Sequence, residues 1–124
     1  MLRVNLNKLP FFRSKEQVSK FNSLSYIHSR RLMYHQVANV TGLSFRESMT
    51  LLLYLFHVDL AELYILVYHV RHPEPIDYRS IFDGFPELPY FCKECEEEVL
   101  NENDLKYDYL FVLNPDVEFE LEID

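Results

Sequence analysis

The chain has 124 residues, 48% of them apolar, and a formal net charge of −8. That length is one compact domain's worth of chain, and its apolar content can fill a core, which excludes a disordered polymer. Its two glycines, Gly42 and Gly84, stand far apart and argue against a glycine-rich phosphate cradle.

Charge is divided along the chain. Residues 1–57 hold eight Lys/Arg against two acids, whereas residues 58–124 hold four Lys/Arg against eighteen acids. The division suggests two modules, or two faces, with different partners; the plainer reading is an acidic half that keeps an aromatic-rich protein in solution. Met1–Asn7 lacks the apolar stretch of a secretory signal. Met49–Val70 is the most apolar segment, but Asp59 and Glu62 would each cost about 3 kcal/mol at a bilayer centre, so no membrane span is expected. Two cysteines three positions apart do not make a disulfide framework, and the expected compartment is a reducing cytoplasm.

In chain order, Lys8-Leu9-Pro10-Phe11-Phe12 reads as an extended arm laying two aromatics on the body. Ser14-Lys15-Glu16-Gln17 has the spacing of a capping box, and Val18, Phe21 and Leu24 follow at helical intervals. A first helix is therefore expected from Lys15 into the middle twenties, or on past Ile27. Tyr34–Val40 reads as a short helix closed by Thr41-Gly42-Leu43, with Gly42 suited to the left-handed conformation. Ser44-Phe45-Arg46-Glu47 then opens another helix with a second capping box, and Phe45, Met49, Leu52, Leu53 and Phe56 are expected to form its apolar stripe. Short helix, tight turn and capped helix are the parts of a helix-turn-helix.

Beyond Asp59 the period becomes two. Leu63, Ile65 and Val67 face one way and Glu62, Tyr64 and Tyr68 the other, as in a strand with one dry side. His72-Pro73-Glu74-Pro75 turns the chain. Ile76–Ile81 reads as a returning strand, with a helical turn around Ser80–Asp83 as the alternative. Gly84–Pro89 reads as a linker, giving a winged helix-like domain at 1–84 and a small antiparallel β module at 85–124. In that module Cys92-Lys93-Glu94-Cys95 and the acid run Glu96–Glu98 precede a predicted antiparallel hairpin. Its strands would be Leu105–Leu113 and Val117–Ile123, joined by Asn114-Pro115-Asp116, with Glu118, Glu120, Glu122 and Asp124 facing outward. The fold class is α+β.

Residues 14–81 resemble the winged helix-turn-helix superfamily of bacterial regulators, on the strength of Tyr34–Val40, Thr41–Ser44, the helix Phe45–Phe56 and the strand Glu62–Val70. The resemblance implies that the second helix of the motif enters a DNA major groove by its first turns. Its groove-facing residues would then be Ser44, Arg46, Glu47, Ser48 and Thr50, with Arg46 suited to a guanine. Arg30, Arg31 and Lys20, with Lys8, Arg13 and Lys15, would meet phosphates. Leu88–Leu113 looks like half of a zinc ribbon, with one cysteine knuckle but no second cysteine pair.

Three site readings follow. The terminal strand, through Phe119 and Leu121 on its apolar side and Glu118, Glu120 and Glu122 on the other, could add to a partner's sheet. A homodimer is the default assembly, and DNA the alternative partner. His69-Val70-Arg71-His72 and Cys92-Lys93-Glu94-Cys95 together offer two nitrogens and two thiolates, the set of a tetrahedral structural zinc. Two chains could instead share one ion through Cys92 and Cys95, while the plain reading has buried thiols and no cofactor. No nucleophile elbow or paired acid and base appears, and the glutamates around the cysteines disfavour a thiolate. The expectation is a non-enzymatic regulatory or adaptor protein acting by protein contact, with no small-molecule substrate; the alternative is a DNA-binding regulator.

Overall fold

The computed structural model describes residues 2–6 and 11–121. Lys8, Leu9 and Pro10 of the expected arm, and Glu122, Ile123 and Asp124 of the expected last strand, lie outside them. Among the described residues there are three α-helices and eight strands, a mixed α+β fold. No helix among them is long and apolar enough to cross a membrane. The chain forms two compact units: residues 1–62 with 111–124, and residues 63–110. The boundary expected at Gly84–Pro89 falls inside the second unit, where Pro86 is buried.

The first unit contains β1 (Leu2–Asn5), α1 (Lys15–Ile27), β2 (Arg31–Leu32), α2 (Tyr34–Thr41) and α3 (Phe45–His57). It also holds the first residues of β3 (Ala61–His69), the last residues of β7 (Leu105–Leu113), and β8 (Val117–Glu120). Ser14 caps α1 as expected, its Oγ accepting the Gln17 N–H at 3.3 Å. The Gln17 side chain reaches back one residue past the expected box: it accepts from the Arg13 N–H at 2.7 Å rather than from Ser14, and donates to the Thr41 carbonyl at 3.1 Å, tying α1 to the end of α2. Gly42 ends α2 at φ +81°, a conformation that costs a residue with a Cβ roughly 1–2 kcal/mol. At α3 the box is reciprocal: Ser44 Oγ accepts the Glu47 N–H and Glu47 Oε1 accepts the Ser44 N–H, both at 3.0 Å. That Ser44 N–H, and then its hydroxyl, hold the Glu47 carboxyl below its ordinary range.

The buried face of α3 differs from the expected stripe. Ser48, Leu51, Leu52 and Leu55 are buried, while Phe45 and Leu53 are exposed. Apolar residues occupy 49, 51, 52, 53, 55 and 56, so periodicity alone allows more than one inward face. The core of this unit gathers Phe21, Leu32, Leu51, Leu52, Leu55, Phe111, Leu113 and Val117. Phe21 sits between Phe12 and Phe119, at centroid distances of 6.0 and 5.1 Å.

Among the described residues, the expected terminal hairpin does not form. β8 pairs in parallel with β1, Leu2 opposite Val117 and Asn5 opposite Glu120, while Arg31–Leu32 of β2 pairs with Phe111–Val112 of β7. An amphipathic strand satisfies its backbone with any suitable edge, and here the N-terminal strand supplies it.

In the 63–110 unit, β3 and β4 (Asp77–Ser80) form the expected antiparallel hairpin, with Tyr64 opposite Ser80 and Val67 opposite Asp77. A 3-10 turn at Ile81–Asp83 follows directly, so the strand and the helical turn both occur. β5 (Tyr90–Cys92) and β6 (Glu97–Val99) make a second hairpin, and a 3-10 turn at Glu102–Asp104 leads into β7. The core here is small: Ile65, Val67, Cys92, Val99 and Leu105, flanked by Ile76, Ile81, Tyr90, Cys95 and Tyr109. Tyr90 donates its hydroxyl to Asp77 Oδ2 at 3.1 Å, and burial with that carboxylate pushes the phenol up to about 12. On the opposite face of β3, burial and then the negative charges of Asp108 and Glu74 raise the Tyr68 hydroxyl.

Candidate metal centre

Two turns of the 63–110 unit are built alike. His69 is the last residue of β3, and the His72 N–H donates to the His69 carbonyl at 2.8 Å, closing a turn over Val70 and Arg71. Pro73 and Pro75 stop the chain from continuing the ladder. Cys92 is the last residue of β5 and pairs across the hairpin with Glu97; Cys95 stands in the intervening turn. Glu96 closes that turn at φ +56°, in the left-handed region. Each turn thus offers one donor from a strand end and a second three residues later.

The two turns meet. One ligand atom from each of His69, His72, Cys92 and Cys95 can be chosen so that all four lie within 4.8 Å of one another. Metal–ligand bonds of about 2.0–2.3 Å in a tetrahedron set ligand–ligand edges at roughly 3.3–3.8 Å. Cys95 Sγ and His69 Nδ1 already stand 3.3 Å apart, and the widest separation is within about 1 Å of an edge. The His69 and His72 rings are 5.5 Å apart between centroids. His69 and Cys92 are buried, and His72 Nε2 is enclosed without a hydrogen-bond partner. An enclosed nitrogen with an unused lone pair costs about 1–3 kcal/mol unless something accepts it, and a cation does so. Two thiolates and two imidazoles balance the charge of a divalent ion, and the residues fit zinc.

The surroundings of Cys95 disfavour a free thiolate, so a bound cation has to supply the charge that the protein does not. Burial and the neighbouring Cys92 push the Cys95 thiol up, with the Glu97 backbone N–H pulling in the other direction by pointing at the sulfur. Such an N–H directed at a coordinating sulfur orients it. Both cysteines are free of any disulfide. Arg71, inside the histidine turn, reaches Glu97, the residue opposite Cys92, at 2.9 Å. This exposed ion pair bridges the two turns from outside. Its one signal in the sequence is the hairpin spacing that sets position 97 across from position 92.

Ser44, Arg31 and Arg46 are exposed, as are Arg13, Lys15 and Lys20. Arg30 is not a surface cation: it is buried, donates to Ser25 Oγ at 3.1 Å and to the Pro115 carbonyl at 2.9 Å, and stacks 4.2 Å over the Tyr26 ring. Ser48 is fully buried, so it has no access to a base edge. Phe119 lies in the core against Phe21, and Glu118, Glu120 and Leu121 are half-buried. The edge expected to be free at Phe119 is occupied: its N–H donates to Asn22 Oδ1 at 3.0 Å and its carbonyl accepts from Asn22 Nδ2 at 2.7 Å. On the other edge the Leu6 N–H reaches the Glu120 carbonyl at 2.8 Å. Glu122 lies outside the described residues. Among the described residues, the four predicted metal ligands converge.

No family model, curated protein or solved structure matches the chain.

Proposed function

We propose that the chain is a non-enzymatic regulatory or adaptor protein that works by contact with other proteins. One structural zinc on His69, His72, Cys92 and Cys95 holds its 63–110 unit in shape. The observation that carries this reading is the convergence of four ligand atoms within 4.8 Å from two separate turns of one chain. Four protein ligands leave no open position for a water or substrate, which is the pattern of a structural rather than a catalytic zinc. The small core of this unit supplies the need, since a metal stands in for apolar burial where little is available. Four ligands from one chain also remove the reason for two chains to share an ion through their cysteines. A reducing cytoplasm suits two free thiols.

The test is the zinc content of the purified full chain. One zinc per chain is expected, lost in Cys95→Ala and retained in Val99→Ala, which weakens the same core without touching a ligand. A metal-free wild type, or zinc retained by Cys95→Ala, overturns the reading.

A second reading rests on the helical unit. Helices α2 and α3 are joined through the left-handed Gly42, and Arg46 stands exposed on the first turn of α3. We retain for it the role of a DNA-binding winged helix-turn-helix, now without Arg30 and Ser48. Salt-dependent duplex binding, weakened in Arg46→Ala, is its expected signature.

A further inference from the structure

The 63–110 unit carries a second feature that zinc does not use. Tyr64, Leu66 and Tyr68 alternate onto one face of β3, and the β4 register sets Tyr78 directly opposite Leu66, between the two β3 tyrosines. The Tyr64 and Tyr78 rings meet edge to face, 5.9 Å apart and inclined by 70°. Tyr78 nevertheless keeps 62% of its surface exposed. The opposite face of β3, with Ile65 and Val67, joins the core cluster of this unit, while on the tyrosine face Leu66 is buried between half-buried Tyr64 and Tyr68. Asp108 and Glu74 set negative charge beside Tyr68. The unit as a whole has eleven acids and four Lys/Arg, a net charge of −7, and one of the four cations, Arg71, is already paired with Glu97.

We propose that this tyrosine face docks an Arg/Lys-rich segment of a partner protein, an inference that rests on reading the chain as an interaction protein. Both components select the same ligand. The face of an aromatic ring attracts a guanidinium or ammonium through its quadrupole, and nearby carboxylates attract the same group over a longer range. Phosphates of a nucleic acid are repelled by the same charges. Tyrosine is suited to the task because it offers a large rigid surface and a hydroxyl at low entropic cost.

The experiment is a fluorescence anisotropy titration of a labelled Arg/Lys-rich peptide with the zinc-loaded full chain. The wild type binds, and more weakly as salt rises. Tyr78→Leu keeps an apolar side chain but loses the ring, and weakens binding roughly two- to fivefold, whereas Tyr78→Phe keeps the ring and stays near wild type. Asp108→Asn keeps the acceptor that receives the Tyr109 N–H at 2.8 Å, and lowers both affinity and salt dependence. Tyr78 is exposed, so neither substitution at it threatens the fold. Equal binding by Tyr78→Leu or no binding by the wild type overturns the proposal. Zinc content measured on the same samples separates the two readings. Normal zinc with no peptide binding sinks this inference alone, whereas a metal-free wild type sinks the reading beneath it.

Discussion

Removing the metal should unfold one unit and spare the other. Structural zinc contributes about 10 kcal/mol or more to a small fold at neutral pH, against a total stability of about 5–15 kcal/mol for a typical domain. The core cluster that contains the ligand Cys92 has four other buried residues, so little else resists the loss there. Chelation also leaves His72 Nε2 enclosed and unpartnered. The assay is amide hydrogen exchange of the full chain before and after chelator. The reporting amides are those of Ile76, bonded to the Val67 carbonyl, and Val70, bonded to the Asp104 carbonyl, both at their present lengths of 2.8 and 3.0 Å. Their exchange should accelerate roughly a thousandfold or more, since each 1.4 kcal/mol is a factor of ten. The Arg30 amide, bonded to the Ser25 carbonyl, and the Leu60 amide, bonded to the Leu55 carbonyl, should change far less. Unchanged exchange at Ile76 and Val70 in a demonstrably metal-free chain would refute the reasoning.

Three further outcomes follow from individual contacts. Glu96→Gly relieves a left-handed backbone at φ +56° in the cysteine turn, and should raise the zinc-loaded midpoint by the equivalent of ~1 kcal/mol in thermal melts. Asn22→Ala removes both hydrogen bonds to the Phe119 backbone and leaves that edge unpaired, at a cost of about 1–3 kcal/mol in urea unfolding; Asn22→Asp, which keeps only the acceptor, should fall between. Tyr90 has a folded pKa of about 12 against an ordinary 10.0. A raised acid favours the folded state while protonated, so its contribution is complete below pH 10 and is lost as pH rises through about 12. Tyr90→Phe should flatten stability over that window, and an unchanged slope would remove Tyr90 from the account.

Local signals in the sequence translated into structure where the physics is local. Ser14, Gly42 and Ser44 mark helix ends through their own backbone and side-chain chemistry, and the ends fall at those residues. The alternation from Leu63 to Val67 places a strand with its odd positions in the core. What failed depended on partners far along the chain. The alternation of Val117 and Phe119 predicts a strand but not its neighbour, and β1 took the place assigned to β7. Asn22, ninety-seven positions from Phe119, carries no local mark of the strand edge it occupies. Arg30 read as a surface cation because charge normally is, but Ser25, Tyr26 and Pro115 together enclose it. The metal ligands were readable because each pair has its own short spacing. That the pairs meet required the two hairpins to be placed in space.

Zinc K-edge X-ray absorption on the purified full chain reads the ligand set itself. Two sulfur ligands at about 2.3 Å and two nitrogen ligands at about 2.0–2.1 Å are expected, with one zinc per chain. A first shell of four sulfurs, as two chains sharing one ion through Cys92 and Cys95 would give, or a shell without sulfur, would contradict that ligand set.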